Sequence, residues 1–175
     1  MLTPDEQHFI DNLPVEVATK KVVIKPFSPQ IQQTAKKIIY KIRNVIPDSD
    51  IRFMGASALG ISGQNDIDIY VLAAEHDFSD YLPGMINHFG NPTSKSPGSI
   101  AWKFLKNNYD IELYLTDPES PTMVKQIKVF EALKNNQKLL KQYEQLKEDM
   151  DGSTFKDYQI QKYGFYHNIL KDLNS

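Results

Sequence analysis

The stretch that decides the fold is Met54-Gly55-Ala56-Ser57-Ala58-Leu59-Gly60, followed after a few residues by Asn65-Asp66-Ile67-Asp68-Ile69-Tyr70-Val71-Leu72. Ile-, Val- and aromatic-rich segments on either side of a small-residue turn predict two strands, at 50–54 and 66–73. Because side chains alternate along a strand, Asp66 and Asp68 are predicted to point the same way. Two such carboxylates can hold a divalent cation, and a glycine turn lets a phosphate approach the backbone. The pattern therefore indicates metal-dependent handling of a nucleoside triphosphate. The alternative is a half-exposed strand with an acidic outer face.

The composition is that of an ordinary globular protein, with 41% apolar and 24% charged residues in 175. We expect one domain over 1–175, with an N-terminal helix in 1–20, an α/β core in 21–118 and C-terminal helices in 119–175. The net charge of −2 and the lack of a dense Lys/Arg run argue against nucleic acid as a main partner.

Three features that the sequence lacks bear on the cellular location of the protein. The chain has no cysteine, its start (Met1 to Glu6) lacks a signal-peptide pattern, and no apolar run approaches the roughly 18 residues of a membrane span. We therefore expect a cytoplasmic protein without a membrane partner.

The order of the remaining elements predicts an α+β fold. Thr3, Pro4 and Glu6 form a capping-box pattern for a first helix. A short strand is predicted at 21–27, a helix from Ser28-Pro29 to Val45, a helix at 77–89 and a loop at 91–98. From about Pro121 one helix is predicted through Leu146, and after a break at Asp151-Gly152 a second helix follows with Ser153 as its cap.

A second acidic pair lies in a predicted hairpin, 99–105 and 109–115, around Asn107-Asn108. A two-residue turn places Lys103 opposite Glu112 and Leu105 opposite Asp110. Nucleotidyl transfer needs only two or three carboxylates on rigid strands. Asp66 and Asp68 supply two, and Asp110 or Glu112 offers a third. The sequence does not decide between those two; the shorter Asp110 is slightly favoured. The alternative is a solvated strand with a Lys103–Glu112 ion pair.

One pattern resembles the DNA polymerase beta-like nucleotidyltransferase superfamily. It consists of a hydrophobic residue, Gly55 and a small residue, followed later by Asp66-Ile67-Asp68-Ile69. The tail narrows the match, because it resembles the C-terminal signature of the GrpB-like family. The similarity spans roughly Val22 to Leu170, and its C-terminal residues are Phe130 to Leu133, Leu139, Leu140, Tyr143, Leu146, Lys147, Tyr158, Lys162, Phe165, Ile169 and Leu170.

The resemblance implies a small mixed β-sheet of nucleotidyltransferase type, flanked by helices and extended by C-terminal helices. It also implies catalytic carboxylates (Asp66, Asp68, Asp110 or Glu112), metal ligands (Asp66, Asp68 and Asp110) for Mg²⁺ or Mn²⁺, and a triphosphate held at Gly55, Ala56 and Ser57. Lys103 and Lys162 are the candidate phosphate-binding lysines. The alternatives are a surface ion pair for Lys103 and a side chain that snorkels to water for Lys162.

Three functions follow as hypotheses. The first is transfer of a nucleoside monophosphate from a triphosphate to an unidentified hydroxyl or phosphate acceptor. The second is a catalytically inactive nucleotide-binding or regulatory module, which is favoured by Ala56 in place of the Ser or Gly that the superfamily usually has. The third is an interaction protein that acts through its C-terminal helices.

Overall fold

A computed structural model describes residues 2–173, which form two compact units. The sheet unit comprises Phe27–Ile61 and Asn65–Ile127. Of the described residues, the helical unit comprises 2–26, Ser62–Gln64 and 128–173. The single domain with divisions at 20/21 and 118/119 stays a prediction, and its residues Met1, Asn174 and Ser175 lie outside the described part of the chain.

The sheet unit is built on one mixed five-stranded sheet in the order β1-β2-β5-β4-β3. Strands β2 and β5 run parallel, and the other neighbours are antiparallel. This confirms the predicted α+β class with a small mixed sheet. The elements are α3 (Pro29–Val45), β1 (Asp50–Met54), α4 (Gly55–Leu59), β2 (Asp66–Leu72), a 3₁₀ turn (Glu75–Asp77), α5 (Phe78–Phe89), β3 (Ser94–Ser96), β4 (Ser99–Lys106) and β5 (Tyr109–Thr116), counted after α1 and α2 of the helical unit.

One face of the sheet carries the core. Helix α3 buries Ile31, Ala35, Ile38 and Ile42, which recur at helical spacing and belong to one cluster with the buried side chains of β2, β4 and β5. Trp102 on β4 belongs to the same cluster and is 1% exposed. The opposite face of the sheet is left for the polar residues of the same strands.

The hairpin between β4 and β5 has the predicted register. Lys103 pairs with Glu112 and Leu105 with Asp110. The turn residues Asn107 and Asn108 have φ values of 51° and 63°, in the left-handed region that a two-residue hairpin turn requires.

The helical unit contains α1 (Pro4–Asp11), α2 (Val15–Ala18), α7 (Gln137–Asp149), α8 (Phe155–Leu173) and the later part of α6 (Pro121–Asn135). The Thr3–Glu6 capping box is present. Among the described residues, no helix is both long and apolar enough to cross a bilayer.

Four predicted elements differ from the structure. The strand at 21–27 is wrong, because Lys21 and Lys25 make only isolated bridges to the loop residues Thr154 and Gly63. The helix through Leu146 ends at Asn135, since the Asn136 side chain accepts from Leu139 N and caps a new helix.

The cap of the last helix and the predicted 91–98 loop also need correction. Thr154, not Ser153, accepts from the backbone N–H of Asp157 and so starts α8. The loop contains the short strand β3, whose Ser94 pairs with Ala101.

Candidate functional site

The polar face of the sheet brings together both acidic pairs. In the parallel register Asp66 lies beside Asp110, and Asp68 lies beside Glu112. The intervening Ile67 and Ile111 are buried, which fixes the four acidic side chains on the face away from the core. We call these four residues the carboxylate cluster. Asp66, Asp68 and Glu112 are partly buried, whereas Asp110 is exposed near the start of β5.

Glu112 is the most constrained member of the cluster. Lys103 Nζ donates to Glu112 Oε1 at 2.7 Å, and the Tyr114 hydroxyl donates to Glu112 Oε2. The ion pair that was the alternative interpretation for Lys103 is therefore confirmed. It lies on the same face as the two aspartates, so it also holds a cation beside them.

The pKa of the Tyr114 hydroxyl reflects the negative charge of the carboxylate cluster. Burial raises the pKa of its hydroxyl well above the ordinary value, and the charge of Glu112, the hydrogen bond to Glu112 and the charges of Asp68 and Asp66 raise it further. The Tyr114 ring stacks on Tyr70, with centroids 4.9 Å apart and planes at 11°. Three carboxylates thus act on one hydroxyl, and two tyrosines form an aromatic surface next to them.

Replacing Tyr114 by Phe is expected to make stability less sensitive to alkali. A tyrosine whose pKa is raised by folding stabilises the protein fully below its unfolded pKa of about 10, and this stability is lost as pH rises toward the folded value. Thermal unfolding between about pH 9 and 11 should therefore show a shallower fall in Tm for Tyr114→Phe than for the wild type. Tyr40→Phe, at a side chain 68% exposed, should fall as steeply as the wild type. Equal slopes for all three proteins would contradict the assignment.

The small-residue turn after β1 is the helix α4, and Gly55 begins it. Gly55 has φ of +78°, which L-residues with a side chain rarely adopt. A Cβ at this position would collide with Asp68 Oδ2. The register places Met54 opposite Asp68, so the Asp68 carboxylate rests directly against the Gly55 backbone. Only glycine allows this approach.

Ser57 is buried within α4 and is 5% exposed. Its hydroxyl donates to the Asp66 carbonyl oxygen at 2.6 Å. This bond ties the turn to the start of β2 and uses the one hydrogen that the hydroxyl could donate. Ala56 is also buried. Phosphate binding by Gly55, Ala56 and Ser57 stays a prediction.

Lys162 belongs to α8 in the helical unit. Its Nζ lies 5.6 Å from the centroid of the Tyr166 ring, a cation–π distance. Burial raises the pKa of the neighbouring Tyr163, the Lys162 charge lowers it, and Glu6 and Tyr166 raise it. The role of Lys162 toward a nucleotide stays a prediction.

Two sets of residues in the structure do not follow from the patterns used above. Tyr70 and Tyr114 could have been assigned to the polar face, because each is two residues beyond an acidic residue that faces that way. His167 is not a plain surface residue, since its Nε2 lies 2.8 Å from Oε2 of the buried Glu6. No sequence spacing could have shown that pairing, because the two residues lie at opposite ends of the chain.

The donor chemistry at the cluster suits a hard divalent cation, because it consists of carboxylate oxygens. Within residues 2–173, however, no group of three or more His, Asp or Glu side chains is arranged to hold a metal ion. The cluster therefore offers the aspartate pair, with Glu112 held by Lys103 and Tyr114.

Several solved structures resemble the chain at low identity. The Cid1 poly(U) polymerase bound to MgGTP matches at 12% identity with a TM-score of 0.40, over 66% of this chain and 43% of that chain. A cytoplasmic RNA terminal U-transferase matches at 13%, TM-score 0.39, over 79% and 46%. The STING-associated CdnE c-di-GMP synthase from Capnocytophaga granulosa matches at 11%, TM-score 0.39, over 98% and 87%. The chain thus spans less than half of the Cid1 structures, and scores this low carry no argument about activity.

No curated protein matches the sequence. The family described as "GrpB protein" matches residues 21–172, which is most of the chain and includes the strands of the carboxylate cluster. The chain belongs to the GrpB family.

Proposed function

We propose that this protein is a metal-dependent nucleotidyltransferase that moves a nucleoside monophosphate from a triphosphate to a hydroxyl or phosphate acceptor. The observation that carries the proposal is the contact of the Asp68 carboxylate with the Gly55 backbone, beside Asp66 and Glu112. This contact brings a carboxylate that could hold a cation next to a glycine backbone that a phosphate could approach closely.

The residues fit Mg²⁺ or Mn²⁺ as the metal. Magnesium in proteins is commonly held by one or two carboxylates together with substrate phosphates and water, so the Asp66–Asp68 pair is sufficient on the protein side. A divalent ion bound there would neutralise charge on the phosphates as the transfer proceeds. Asp110, the third ligand in the sequence prediction, is level with Asp66 in the register and stays part of the proposal.

The transfer itself is a displacement at the α-phosphorus. The acceptor oxygen forms a bond to that phosphorus, the bond to the bridging oxygen of the β-phosphate breaks, and pyrophosphate leaves with the electron pair. Where the acceptor is a hydroxyl, its proton passes to a carboxylate of the cluster; an ionised phosphate acceptor has no proton to transfer. The backbone N–H groups of 55–57 and Lys103 would bind the phosphates, while Ser57 would position β2 through its bond to Asp66.

The third carboxylate can be identified by comparing two isosteric variants. Glu112 lies beside Asp68 and acts on Tyr114 together with Asp68 and Asp66, whereas Asp110 is exposed. We therefore expect Glu112→Gln to lower the rate by roughly a hundredfold and Asp110→Asn to lower it less. The measurement is the initial rate of pyrophosphate release at saturating triphosphate. A larger loss in Asp110→Asn would assign the third position to Asp110, as the sequence slightly favoured.

Nucleotide binding is tested by thermal unfolding with a panel of triphosphates. A ligand that binds only the folded state at 100 times its Kd adds about 2.7 kcal/mol to the free energy of unfolding, which is a shift of several degrees. We expect a shift with triphosphate and Mg²⁺, and a smaller one when EDTA replaces Mg²⁺. Absence of any shift across the panel would contradict both nucleotide hypotheses.

A nucleotide-binding module without catalysis is the second candidate. It is favoured by Ala56, which stands where the superfamily usually has Ser or Gly. It is also favoured by the Lys103 ion pair, which neutralises Glu112. Pyrophosphate release over a broad acceptor screen separates the two candidates. Nucleotide-dependent stabilisation with no release would favour the module. The acceptor, the triphosphate partner and a cytoplasmic location belong to the same proposal.

A further inference from the structure

The sheet unit contains a cavity of about 300 Å³ on the side away from the carboxylate cluster. It lies between α3, the end of α5 and the tip of the β4–β5 hairpin. Phe104, which lines it, pairs with the core residue Ile111, whereas its neighbour Lys103 pairs with Glu112 on the polar face. Alternation along β4 therefore separates the cavity from the carboxylates.

The floor of the cavity is apolar and aromatic. Ile38 is 4% exposed, and the half-buried rings of Phe89 and Phe104 stack with centroids 6.0 Å apart and planes at 28°. Flat aromatic groups pack favourably on such rings. The hairpin tip closes one side of the cavity. There Asn107 Nδ2 donates to Thr34 Oγ1 on α3 at 3.3 Å.

The rim is cationic. Lys37, Lys41, Lys106 and His88 are exposed around the opening, and no acidic side chain is among the described residues that line it. Helix α3 itself has four basic residues and no acidic one, in a chain whose net charge is −2. Three lysines around one concavity raise the local positive potential, which attracts an anion.

We propose that this cavity binds a phosphate-bearing ligand with a flat aromatic group, of about mononucleotide size. The aromatic group would pack against Phe89 and Phe104, and the phosphate would lie among Lys37, Lys41 and Lys106. The volume is at the lower end of the roughly 300–1,000 Å³ that small-molecule sites occupy, so a ligand the size of a single nucleotide would fill it. This site is separate from the proposed catalytic cluster and needs no metal.

The test is a calorimetric titration of the full chain with AMP in EDTA, with adenosine and inorganic phosphate as parallel probes. AMP should bind more tightly than either probe. Lys37→Ala and Lys41→Ala should each weaken AMP binding about tenfold, the effect of losing one charge-assisted contact. Lys36→Ala is the matched control, because it removes the same charge from the same helix outside this cavity. It should change the affinity less than twofold.

Two more variants separate this site from the carboxylate cluster. Asp66→Asn should leave AMP binding in EDTA unchanged. Phe104→Leu should reduce the preference for AMP over inorganic phosphate, with folding checked by the melting temperature. The proposal is overturned if AMP does not bind, if Lys36→Ala weakens it as much as Lys37→Ala, or if Asp66→Asn abolishes binding. Equal affinity for phosphate and AMP also overturns it.

Discussion

Asp68→Asn is expected to lower nucleotidyl transfer roughly a thousandfold while the protein keeps its fold. The substitution preserves shape but removes the negative charge that lies beside Glu112 and against the Gly55 backbone. Since the carboxylates of the cluster repel one another, removal of one charge should leave the melting temperature unchanged or slightly higher. The measurements are the rate of pyrophosphate release and the Tm of the same preparation.

The control for this variant is Asp80→Asn, at an exposed position in the first turn of α5. It removes the same charge from the same unit at a surface position outside the cluster, so its rate should stay within twofold of the wild type. A variant Asp68→Asn that keeps full activity, or one that loses activity only because it unfolds, would contradict the assignment of Asp68 to the site.

Sequence periodicity was sufficient to predict the faces of the strands. Alternation placed Asp66 with Asp68 and Asp110 with Glu112, and the Asn107-Asn108 turn fixed the register of β4 on β5, all as observed. These features are local, because each depends on residues within one strand or one tight turn. Features of this kind can therefore be predicted from the sequence alone.

Features that depend on distant segments were beyond sequence reasoning. The parallel register of β2 on β5 decides that Asp68 lies beside Glu112, and it is set by packing in the core and not by any turn. The stretch at 21–27 has strand-like composition, yet its backbone groups pair with loop residues such as Ser153 and Gly63. Composition alone cannot say whether a partner strand is available.

The C-terminal signature residues also have a structural explanation. Lys147 is 5% exposed, donates to the Tyr158 hydroxyl at 2.6 Å and lies 5.0 Å from the centroid of the Tyr143 ring. Burial of this ammonium is compensated by a hydrogen bond and by two aromatic faces. At these three positions the family resemblance therefore reflects the packing of α7 on α8, while a phosphate-binding role for the signature residue Lys162 stays a prediction.

Gly55→Ala is expected to abolish most of the activity, because it displaces the Asp68 carboxylate. The new Cβ would collide with Asp68 Oδ2, so the carboxylate must move away from the turn. Displacement of a catalytic group by about 1 Å can cost about a hundredfold in rate, and we expect at least that loss. The left-handed backbone adds a destabilisation of about 1–2 kcal/mol. Initial rates at saturating triphosphate and Mg²⁺, with denaturant unfolding of the same variant, measure both effects.

Gly60→Ala provides the matched control at the other end of α4. Gly60 also has a positive φ, +73°, so alanine there is strained as well, but a Cβ would meet only Phe27 Cε1, at an ordinary distance of 4.0 Å. Both variants should therefore lose similar stability, while only Gly55→Ala loses activity. Equal activity losses would show that the backbone strain matters and that the contact with Asp68 does not. If Gly55→Ala kept the wild-type rate, the contact between Asp68 and Gly55 would not matter for activity, and the proposed function would lose its main support.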